Sequence, residues 1–402
     1  MSFDADVAVV GGGLGGLSAA ISAAKEGLSV VLLERGAYSG SKNVSGGRIY
    51  VHSLLKLIPD ALERAPLERP ITRETYEVRC GDRRVTFTFQ KRNRDSFSVL
   101  RAKLDDWLSH EAEAAGVLTS FDTQVTGARR EGGGITVETN RGEFKVPLVI
   151  EADGVTAPTS RYLGIRRLTP EQFMVGVKEV VATKPELPED EGEAKVVLGL
   201  TAGLKGGGFL YTNRESVSIG FTVKVESVQE KLVKTSELIE DYRESLGIEG
   251  EVLEYSAHLI PYMGYRGLPP LYAPNLMVVG DAAGMLISDG FVIRGMDLAI
   301  GSGTIAGQVA AKLREMNNFT RTDIYQSELE DSFVMRDIKA AWKSFKGLSN
   351  PRFYEVYPQV ICDVLDSMFS VGDRRLLKVA QERLRKEGLG LTSLARDLLW
   401  FT

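Results

Sequence analysis

The sequence is poor in the residues that build covalent or metal-bound frameworks. Among 402 residues there are only two cysteines, Cys80 and Cys362, and three histidines. The cysteines lie far apart in the chain and match no zinc or iron–sulfur spacing, and iron–sulfur clusters ordinarily need four thiolates. We therefore expect no disulfide framework, no cluster and no other metal site in this chain. This cysteine usage is typical of a reducing cytoplasm.

Long apolar runs and a strong charge of one sign are also missing. No window approaches the ~18 uninterrupted apolar residues of a membrane-spanning helix. The apolar N-terminus opens with Asp4 and Asp6 and is broken by glycines, which argues against a signal peptide. The net charge of −5 disfavours nucleic acid as a partner. What remains is a globular protein long enough for two or three structural units.

Glycine, in contrast, is abundant at 42 residues, and its most informative cluster lies near the N-terminus. The apolar run Val7–Val10 predicts a strand buried on both faces. The motif GxGxxG follows at Gly11–Gly16 and leads into a helix-forming stretch, Leu14–Glu26. A second strand, Ser29–Leu33, ends at the acidic Glu34. This order predicts a βαβ dinucleotide-binding unit.

Each glycine of the motif has its own task. Gly11 makes the tight turn, Gly13 lets a pyrophosphate approach the backbone, and Gly16 lets helix and strand pack closely. The free amides of the helix that begins at Leu14 favour phosphate. Glu34 is placed to accept hydrogen bonds from an adenosine ribose, which favours FAD or NAD over NADP. The motif alone leaves FAD and NAD both open.

A second cofactor motif lies where the chain returns to a buried strand, LMVVG, followed by Gly280-Asp281. An aspartate at a strand end can accept a hydrogen bond from a ribityl hydroxyl while the next backbone crosses the pyrophosphate. The helix that starts near Met296 would point its positive end at the flavin ring and stabilise negative charge there. Together with Asp153-Gly154, this motif selects FAD, held non-covalently because no His or Cys occupies a plausible attachment position.

Several further positions complete the predicted FAD site. The polar, glycine-rich stretch 35–50 is long for a simple connection and supplies donors, although a solvated surface loop is the alternative. Arg294 and Gly295 precede the second helix and would tune the flavin at its pyrimidine edge, or Arg294 would form a surface salt bridge. The candidate FAD-binding residues outside the first motif and Glu34 are Arg35, Lys42, Asn43, Ser45, Gly46, Arg101, Val125, Asp153, Gly154, Gly280, Asp281, Gly284, Arg294, Gly295 and Met296.

The remaining segments predict a second domain and a helical region. Residues 71–99 and 155–270 alternate apolar and polar positions as antiparallel strands do. We predict an α/β fold: a discontinuous two-site FAD-binding Rossmann-like domain (1–70, 100–154 and 271–318), an inserted antiparallel-sheet substrate domain (71–99 and 155–270) and a helical C-terminal region (319–402). The run GGGFLY at Gly206–Tyr211 would let a planar ligand lie on the backbone, or would form a bulged hairpin.

The order of GxGxxG, Arg101-x-x-x-Asp105, Asp153-Gly154 and Gly280-Asp281 resembles the FAD-dependent monooxygenase and geranylgeranyl reductase superfamily. Four longer stretches narrow this resemblance to the electron transfer flavoprotein–quinone oxidoreductases of the FixC type. They are SKNVSGGRIY (Ser41–Tyr50), GGGFLYTNRESVSIGF (Gly206–Phe221), HLIP (His258–Pro261) and GFVIRGMDLAIGSG (Gly290–Gly303). The resemblance covers nearly all of residues 1–310.

The resemblance implies that electrons arrive from a two-subunit electron transfer flavoprotein and leave through FAD to a membrane quinone. Long members of the family carry a 4Fe–4S cluster in a cysteine-rich tail. This chain lacks those cysteines, so a separate ferredoxin-like subunit is implied, with the protein peripheral on the cytoplasmic face of the membrane. The candidate quinone-site residues are Gly207, Gly208, Phe209, Tyr211, His258 and Tyr262.

The helical tail from Asp323 to Phe401 is the expected docking surface for these partners, unless it simply covers the substrate sheet. Its apolar end, Ser393–Phe401, would lie in the membrane interface or pack on protein. Three other functions stay open: a geranylgeranyl reductase, an aromatic hydroxylase, and a non-catalytic assembly subunit with a structural FAD. The first normally has a cysteine in the loop after GxGxxG, and Arg35–Tyr50 has none.

Overall fold

The computed structural model describes residues 3–42, 47–201, 203–231, 234–289 and 292–370, and beyond them residues 382, 384–386, 388, 390 and 397. The strands are β1 (Val7–Val10), β2 (Val30–Leu33), β3 (Arg48–Tyr50), β4 (Leu67–Pro70), β5 (Arg73–Cys80), β6 (Arg83–Gln90), β7 (Ser96–Val99), β8 (Leu118–Ser120), β9 (Val125–Glu131), β10 (Gly134–Thr139), β11 (Gly142–Val146), β12 (Leu148–Glu151), β13 (Phe173–Val181), β14 (Glu193–Leu198), β15 (Gly206–Thr212), β16 (Val217–Lys224), β17 (Val252–Pro261), β18 (Tyr272–Ala273), β19 (Leu276–Val278), β20 (Ile287–Ser288) and β21 (Ile293–Arg294).

The α-helices are α1 (Leu14–Lys25), α2 (His52–Leu57), α3 (Ala61–Arg64), α4 (Arg101–Ala114), α5 (Pro158–Tyr162), α6 (Val225–Lys231), α7 (Thr235–Ser245), α8 (Met296–Glu315), α9 (Asp323–Asp331), α10 (Phe333–Ala340), α11 (Trp342–Gly347), α12 (Arg352–Glu355) and α13 (Tyr357–Phe369). Short 3₁₀ turns cover Pro170–Gln172, Tyr265–Gly267 and Gly280–Ala283. No helix in the described part of the chain is long and apolar enough to cross a membrane.

A six-stranded sheet forms the base of the molecule, in the order β18-β19-β12-β1-β2-β8. All neighbours run parallel except β18, which pairs antiparallel with β19. The run Val7–Val10 is buried throughout, as the uninterrupted apolar pattern predicts, because α1 and the strands β10 and β11 pack against β1 and its neighbour β12. The carboxyl ends of β1, β2, β12 and β19 therefore meet at one edge, where open α/β sheets bind their ligands.

Helices α1 and α8 cross this sheet in very close contact. A Cβ atom on Gly303 would lie 2.1 Å from the carbonyl oxygen of Gly15, and one on Gly307 would lie 2.6 Å from that of Ala19. The small residues of α8 thus let its backbone touch α1, so that the starts of the two helices point toward the same region.

A seven-stranded sheet forms the second layer, in the order β17-β13-β16-β15-β14-β5-β6. Its neighbours are antiparallel except β14 and β5, which pair in parallel. The predicted antiparallel sheet is therefore mixed, because β5 and β6 come from a separate chain segment and join at one edge. One face packs on α7, with Ile219 and Tyr242 in its core. The other face looks toward the six-stranded sheet.

Smaller sheets and the C-terminal helices complete the molecule. Strands β9, β10 and β11 form the predicted meander, and β3, β7 and β4 form a sheet that connects the two main layers. Helices α9 to α13 follow α8. The last of them, α13, lies against β5 and β6, where Arg83 forms an ion pair with Asp363 at 2.7 Å.

The two cysteines are joined, contrary to the expectation from sequence. Cys80 ends β5 and Cys362 lies in α13, and a disulfide connects them with a Cα–Cα distance of 6.4 Å. Their 282-residue separation in the chain hides this proximity, because only the packing of α13 on the sheet brings them together. Among the described residues no group of three or more His, Cys, Asp or Glu side chains could hold a metal ion.

Candidate functional site: two adjoining cavities

The larger of two cavities opens at the carboxyl edge of the six-stranded sheet and has a volume of about 550 Å³. Its walls come from the GxGxxG loop, the ends of β2 and β12, the start of α4, strand β17 and the segment before α8. The predicted FAD-binding residues that line it are Gly11, Gly13, Leu14, Glu34, Arg35, Lys42, Arg101, Val125, Asp153, Gly154, Gly280, Asp281, Gly295 and Met296.

The glycine loop has the geometry of a phosphate site. Gly11 has a φ of +106°, and a Cβ atom there would lie 2.3 Å from the carbonyl oxygen of Ala152. Gly13 caps α1 with extended backbone, and no side chain of the described residues caps the helix at this point. The first-turn amides of α1, with no acidic residue among them, therefore face the cavity as donors for an anion.

Gly16 serves packing and does not line the cavity. A Cβ atom on Gly16 would lie 2.0 Å from the carbonyl oxygen of Gly11 and 3.0 Å from the Cβ atom of Ala152. Any side chain there would push α1 away from the turn and from the adjoining strand. Gly16 thus does what its position in the motif predicts, while the cavity lies on the other side of the loop.

Glu34 lies at the end of β2 with both carboxylate oxygens engaged by backbone. Oε2 accepts a hydrogen bond from the Gly12 amide at 2.7 Å, and Oε1 accepts one from the Gly36 amide at 2.6 Å. A carboxylate has about four acceptor positions, so ribose hydroxyls can still bind here. The two amides hold the carboxylate in place at the cavity wall, and this bracing could not be foreseen from the motif.

Asp281 and Arg101 bring opposite charges to the cavity wall. Burial raises the pKa of Asp281, whereas nearby His258 and Arg101 lower it. The Arg101 guanidinium is held by two hydrogen bonds to Asp105, with Nε–Oδ1 and Nη2–Oδ2 both at 2.8 Å. Arg101-x-x-x-Asp105 is therefore one helical turn of α4 that fixes a buried cation beside the cavity.

Asp153 lines the cavity, and its carboxylate also accepts hydrogen bonds from a nearby residue of the chain. Its Oδ2 accepts hydrogen bonds from the Thr159 amide at 3.0 Å and from the Thr159 hydroxyl at 2.7 Å. These contacts fix the turn that leads into α5, in which Gly154 has a φ of +82°. Burial, followed by repulsion from Glu151, raises the pKa of Asp153 well above its usual value. Asp153 thus shapes the turn at the cavity edge.

The second cavity, of about 150 Å³, lies on the inner face of the seven-stranded sheet. Its walls are mostly aliphatic and aromatic, with a few polar groups. The six candidate quinone-site residues, drawn from β15 and from β17 and the residue after it, all line it: Gly207, Gly208, Phe209, Tyr211, His258 and Tyr262. Burial raises the pKa of the Tyr211 phenol to about 12, so it stays protonated and can donate.

The two cavities share a wall. Five residues line both of them: Arg48, Tyr211, His258, Ile260 and Ile293. Burial lowers the pKa of His258, and of its charged neighbours Asp281 raises that pKa while Arg101 and Arg35 lower it. A group bound in the larger cavity and a ligand in the smaller one would therefore be separated by little more than one layer of side chains.

Two contributors to the smaller cavity were missed from sequence. Glu74 and Tyr76 of β5 both line it, and Glu74 forms an ion pair with Arg48. The alternation in ETYEV places these two side chains on one face of a strand, which is the available signal. The alternation does not predict which face of the strand lines the cavity.

Three predicted FAD-binding residues lie outside the lining of the larger cavity. Gly16 packs as described, and Gly284 lies in the turn that follows Asp281. The Arg294 guanidinium reaches Asp297 and Asp337, each with an N–O distance of 2.7 Å, while its neighbours Ile293 and Gly295 line the larger cavity. Asn43, Ser45 and Gly46 lie outside the described residues. Among Ser393–Phe401 only Asp397 is described, and it accepts a hydrogen bond from Arg352.

The residues present fit a dinucleotide with a planar ring system. An uncapped helix start lies beside the glycine turn for the pyrophosphate, a braced carboxylate is placed for the ribose, and the N-terminus of α8 meets the far end of the cavity. Residues 6–155 match the family model described as FAD dependent oxidoreductase. Fold and site together define an FAD-dependent oxidoreductase.

Curated relatives narrow the class. The chain is 36% identical to the probable electron transfer flavoprotein-quinone oxidoreductase YdiS of Escherichia coli strain K12, over 98% of this chain and 97% of the relative. It is 31% identical to protein FixC of Azotobacter vinelandii, over 97% and 95% of the two chains. The chain belongs to the FixC and electron transfer flavoprotein–quinone oxidoreductase family, as the sequence motifs predicted.

Solved structures agree on the fold. A geranylgeranyl bacteriochlorophyll reductase-like protein from Thermoplasma acidophilum superposes with a TM-score of 0.76 at 19% identity, over 99% of both chains. The halogenase PltM in complex with phloroglucinol and FAD superposes with a TM-score of 0.62 at 14% identity, over 98% of this chain and 86% of the other. These likenesses, with the sheets and C-terminal helices described above, confirm the predicted fold class.

Proposed function

We propose that this protein passes electrons from an electron transfer flavoprotein, via a separate ferredoxin-like 4Fe–4S subunit, to a quinone of the membrane. The observation that carries the proposal is the pair of adjoining cavities with one shared wall. The larger cavity suits FAD, which when bound supplies reversible two-electron chemistry. The smaller cavity is apolar, narrow and next to it, as a quinone ring requires.

The residues of the smaller cavity and of the shared wall would do three tasks. Phe209 and Tyr262 would enclose the quinone ring and keep water away from it. The Tyr211 phenol would donate a hydrogen bond to a quinone oxygen, because burial keeps it protonated. His258 lines both cavities, so its imidazole would carry a proton toward the ring oxygen as the quinone becomes a quinol.

The proposed partners follow from the number of cysteines in this chain. It has two cysteines in total, so a cluster that needs four thiolates has to lie on another subunit. We propose the helical C-terminal region, of which α9 to α13 are described, as its docking surface. The protein would work as a peripheral protein on the cytoplasmic face of the membrane, since its electron acceptor is dissolved in the bilayer.

The proposal is tested by reconstitution. The protein and the ferredoxin-like subunit are mixed anaerobically with an electron transfer flavoprotein in its reduced form and a short-chain quinone, and quinol formation is followed. Quinol should form only when all three proteins are present. Full activity without the ferredoxin-like subunit would reject its role, and no quinol under any combination would reject the quinone.

A lipid double-bond reductase is the second candidate function. It is favoured by the apolar smaller cavity, because an isoprenoid chain fits that lining as well as a quinone ring does. The polar groups of the shared wall argue for the quinone, since Tyr211 and His258 would face an alkene with no hydrogen-bond partner. Incubation of the reduced protein with a geranylgeranyl lipid and mass analysis of the product separates the two functions.

A further inference from the structure

Strand β6 is an edge of the seven-stranded sheet and carries two exposed aromatic side chains. Phe87 and Phe89 are each 66% exposed. Among the described residues no strand pairs with the outer side of β6. A long exposed edge with large apolar side chains is a liability in water, and proteins ordinarily cover such an edge. The exposed pair therefore needs a partner in the working protein.

The register of the sheet connects this edge to the smaller cavity. Phe87 pairs with Tyr76, Tyr76 with Val196 and Val196 with Phe209, and paired residues point to the same face. Tyr76, Val196 and Phe209 all line the smaller cavity. An apolar row thus runs from the cavity across three strands to Phe87 at the open edge.

Cationic residues flank the exposed pair along the chain. The segment from Arg83 to Arg94 contains five Lys or Arg residues and no acidic residue. Three of the five have carboxylate partners, whereas Arg84 and Arg92 are exposed before and after the phenylalanines in the chain, with Arg84 on the opposite face of β6 because it pairs with Arg79, which contacts α7. Aromatic side chains flanked by Arg are typical of surfaces that enter the headgroup region of an anionic bilayer.

A second apolar surface lies near β6. Helix α13 touches β6 through the contacts of Arg83 with Asp363 at 2.7 Å and with Asp366 at 3.8 Å. Phe369, one helical turn beyond Asp366, is 84% exposed. The end of α13 would thus extend the same apolar surface.

The opposite edge of the sheet offers an internal comparison. Leu253 and Tyr255 of β17 are 57% and 52% exposed. Tyr255 pairs with Glu179, whose carboxylate lies 3.5 Å from Arg243 of α7, so Tyr255 points to the face that bears α7. Exposed apolar residues thus occur at both edges of the sheet, but only those of β6 continue the face that lines the smaller cavity.

We propose that Phe87 and Phe89, flanked in the chain by Arg84 and Arg92, form the membrane-docking edge of the protein and bind the surface of a bilayer that contains anionic lipid. The proposal rests on the proposed function, because a quinone of the bilayer is what the apolar row would guide. With the edge in the headgroup region, the quinone ring would pass over Phe87 and along Tyr76 to Phe209 while its isoprenoid tail stays in the lipid.

Vesicle flotation without quinone tests the docking edge separately from the chemistry. The FAD-loaded protein is mixed with vesicles of phosphatidylcholine that contain phosphatidylglycerol, or of phosphatidylcholine alone. We expect the protein to float with the anionic vesicles and the variant F87S/F89S to bind them at least about tenfold more weakly. The matched variant L253S/Y255S removes the same kind of exposed surface from the other edge and should float as the parent does.

The charge contribution is measured with R84Q/R92Q, which should weaken binding to anionic vesicles and leave binding to neutral vesicles unchanged. Circular dichroism and flavin content confirm that each variant is folded. If F87S/F89S does not fold, F87Y/F89Y replaces it in the flotation experiment. Reduction of a soluble short-chain quinone by the parent protein, measured without vesicles, shows separately whether the proposed function fails. Unchanged flotation of F87S/F89S, or no flotation of the parent, would overturn the docking edge.

Discussion

Arg48 and Glu74 are joined by two parallel hydrogen bonds, Nη1–Oε2 at 2.9 Å and Nη2–Oε1 at 2.5 Å. Arg48 begins β3 beside the larger cavity, and Glu74 belongs to β5 of the seven-stranded sheet. The pair therefore ties the cofactor side of the shared wall to the substrate side. Arg48 also lies over the Tyr50 ring, 4.6 Å from its centroid, which fixes the guanidinium plane further.

The first prediction concerns this pair. Glu74→Gln leaves the buried Arg48 without its charged partner and should lower the free energy of unfolding by about 1.5–3 kcal/mol. The Michaelis constant for a short-chain quinone should rise more than the turnover number falls, because the cavity wall loosens. Glu68→Gln, on neighbouring β4, is the control for a glutamate outside both cavities. An equal effect of the two substitutions would contradict the role of the Arg48–Glu74 pair.

The second prediction concerns cofactor retention. Asp281→Ala removes the acceptor at the end of β19 and should weaken FAD binding by about 1–3 kcal/mol, since a cofactor hydroxyl loses its partner. Equilibrium dialysis with flavin fluorescence measures the change. Asp106→Ala, a half-exposed change on α4, should leave the FAD affinity as it is. Retention of FAD by Asp281→Ala at the parent's affinity would remove Asp281 from the site.

The third prediction concerns the contact of α1 with α8. Gly303→Leu inserts a side chain where the Gly15 carbonyl lies 2.1 Å from the Cβ position. Overpacking of this kind costs about 1–3 kcal/mol, and it should also release FAD because the starts of both helices move. Gln308→Leu, an exposed change on α8, should do neither. Thermal unfolding and flavin content of the two variants measure the difference.

The fourth prediction concerns pH. Burial lowers the pKa of His258 in the folded chain below the value of about 6.5 that it has when unfolded. The unfolded chain thus binds more protons in this window, so the neutral imidazole contributes stability above pH ~6.5 that is lost as the pH falls through the folded pKa. His258→Asn should flatten this acid limb of the stability curve, while the exposed His110→Asn should not. Urea unfolding from pH ~5 to pH ~8, on both sides of the unfolded pKa, measures both variants.

The fifth prediction concerns the disulfide. It closes a loop of 282 residues and ties α13 to β5. Reduction, or Cys362→Ser, should lower the stability of the C-terminal helices by about 2–5 kcal/mol. Hydrogen exchange in α13 should rise while exchange in β1 stays slow. Equal protection of α13 in the oxidised and reduced protein would show that the bond contributes nothing to its anchoring.

The parts of the fold that follow local rules were predictable. Val7–Val10 is a continuous apolar run and forms a buried parallel strand, and the small residues of α8 allow it to touch α1. The alternation in β5 and β6 likewise predicts strands. It does not predict that β5 pairs in parallel with β14, because that pairing depends on where two distant segments meet.

The parts of the site that depend on distant contacts were not predictable. Arg294 precedes α8, as its predicted role beside the flavin requires, and its guanidinium also pairs with Asp337 of α10. No local sequence pattern predicts the contact between Arg294 and Asp337, since 43 residues separate them. Cys80 and Cys362 meet for the same kind of reason. Glu34 was expected from its position after β2, whereas the two amides that brace it come from the folded turn.

The central claim is that a cofactor in the larger cavity delivers electrons to a quinone in the smaller one. The most direct test is anaerobic mixing of the photoreduced, FAD-loaded protein with a short-chain quinone in a stopped-flow spectrophotometer. The account predicts that the oxidised flavin spectrum returns with one quinol formed per flavin, and that bulky substitution at Gly207, on the cavity face of β15, slows this return while FAD stays bound. A reduced flavin that persists in the presence of excess quinone would contradict it.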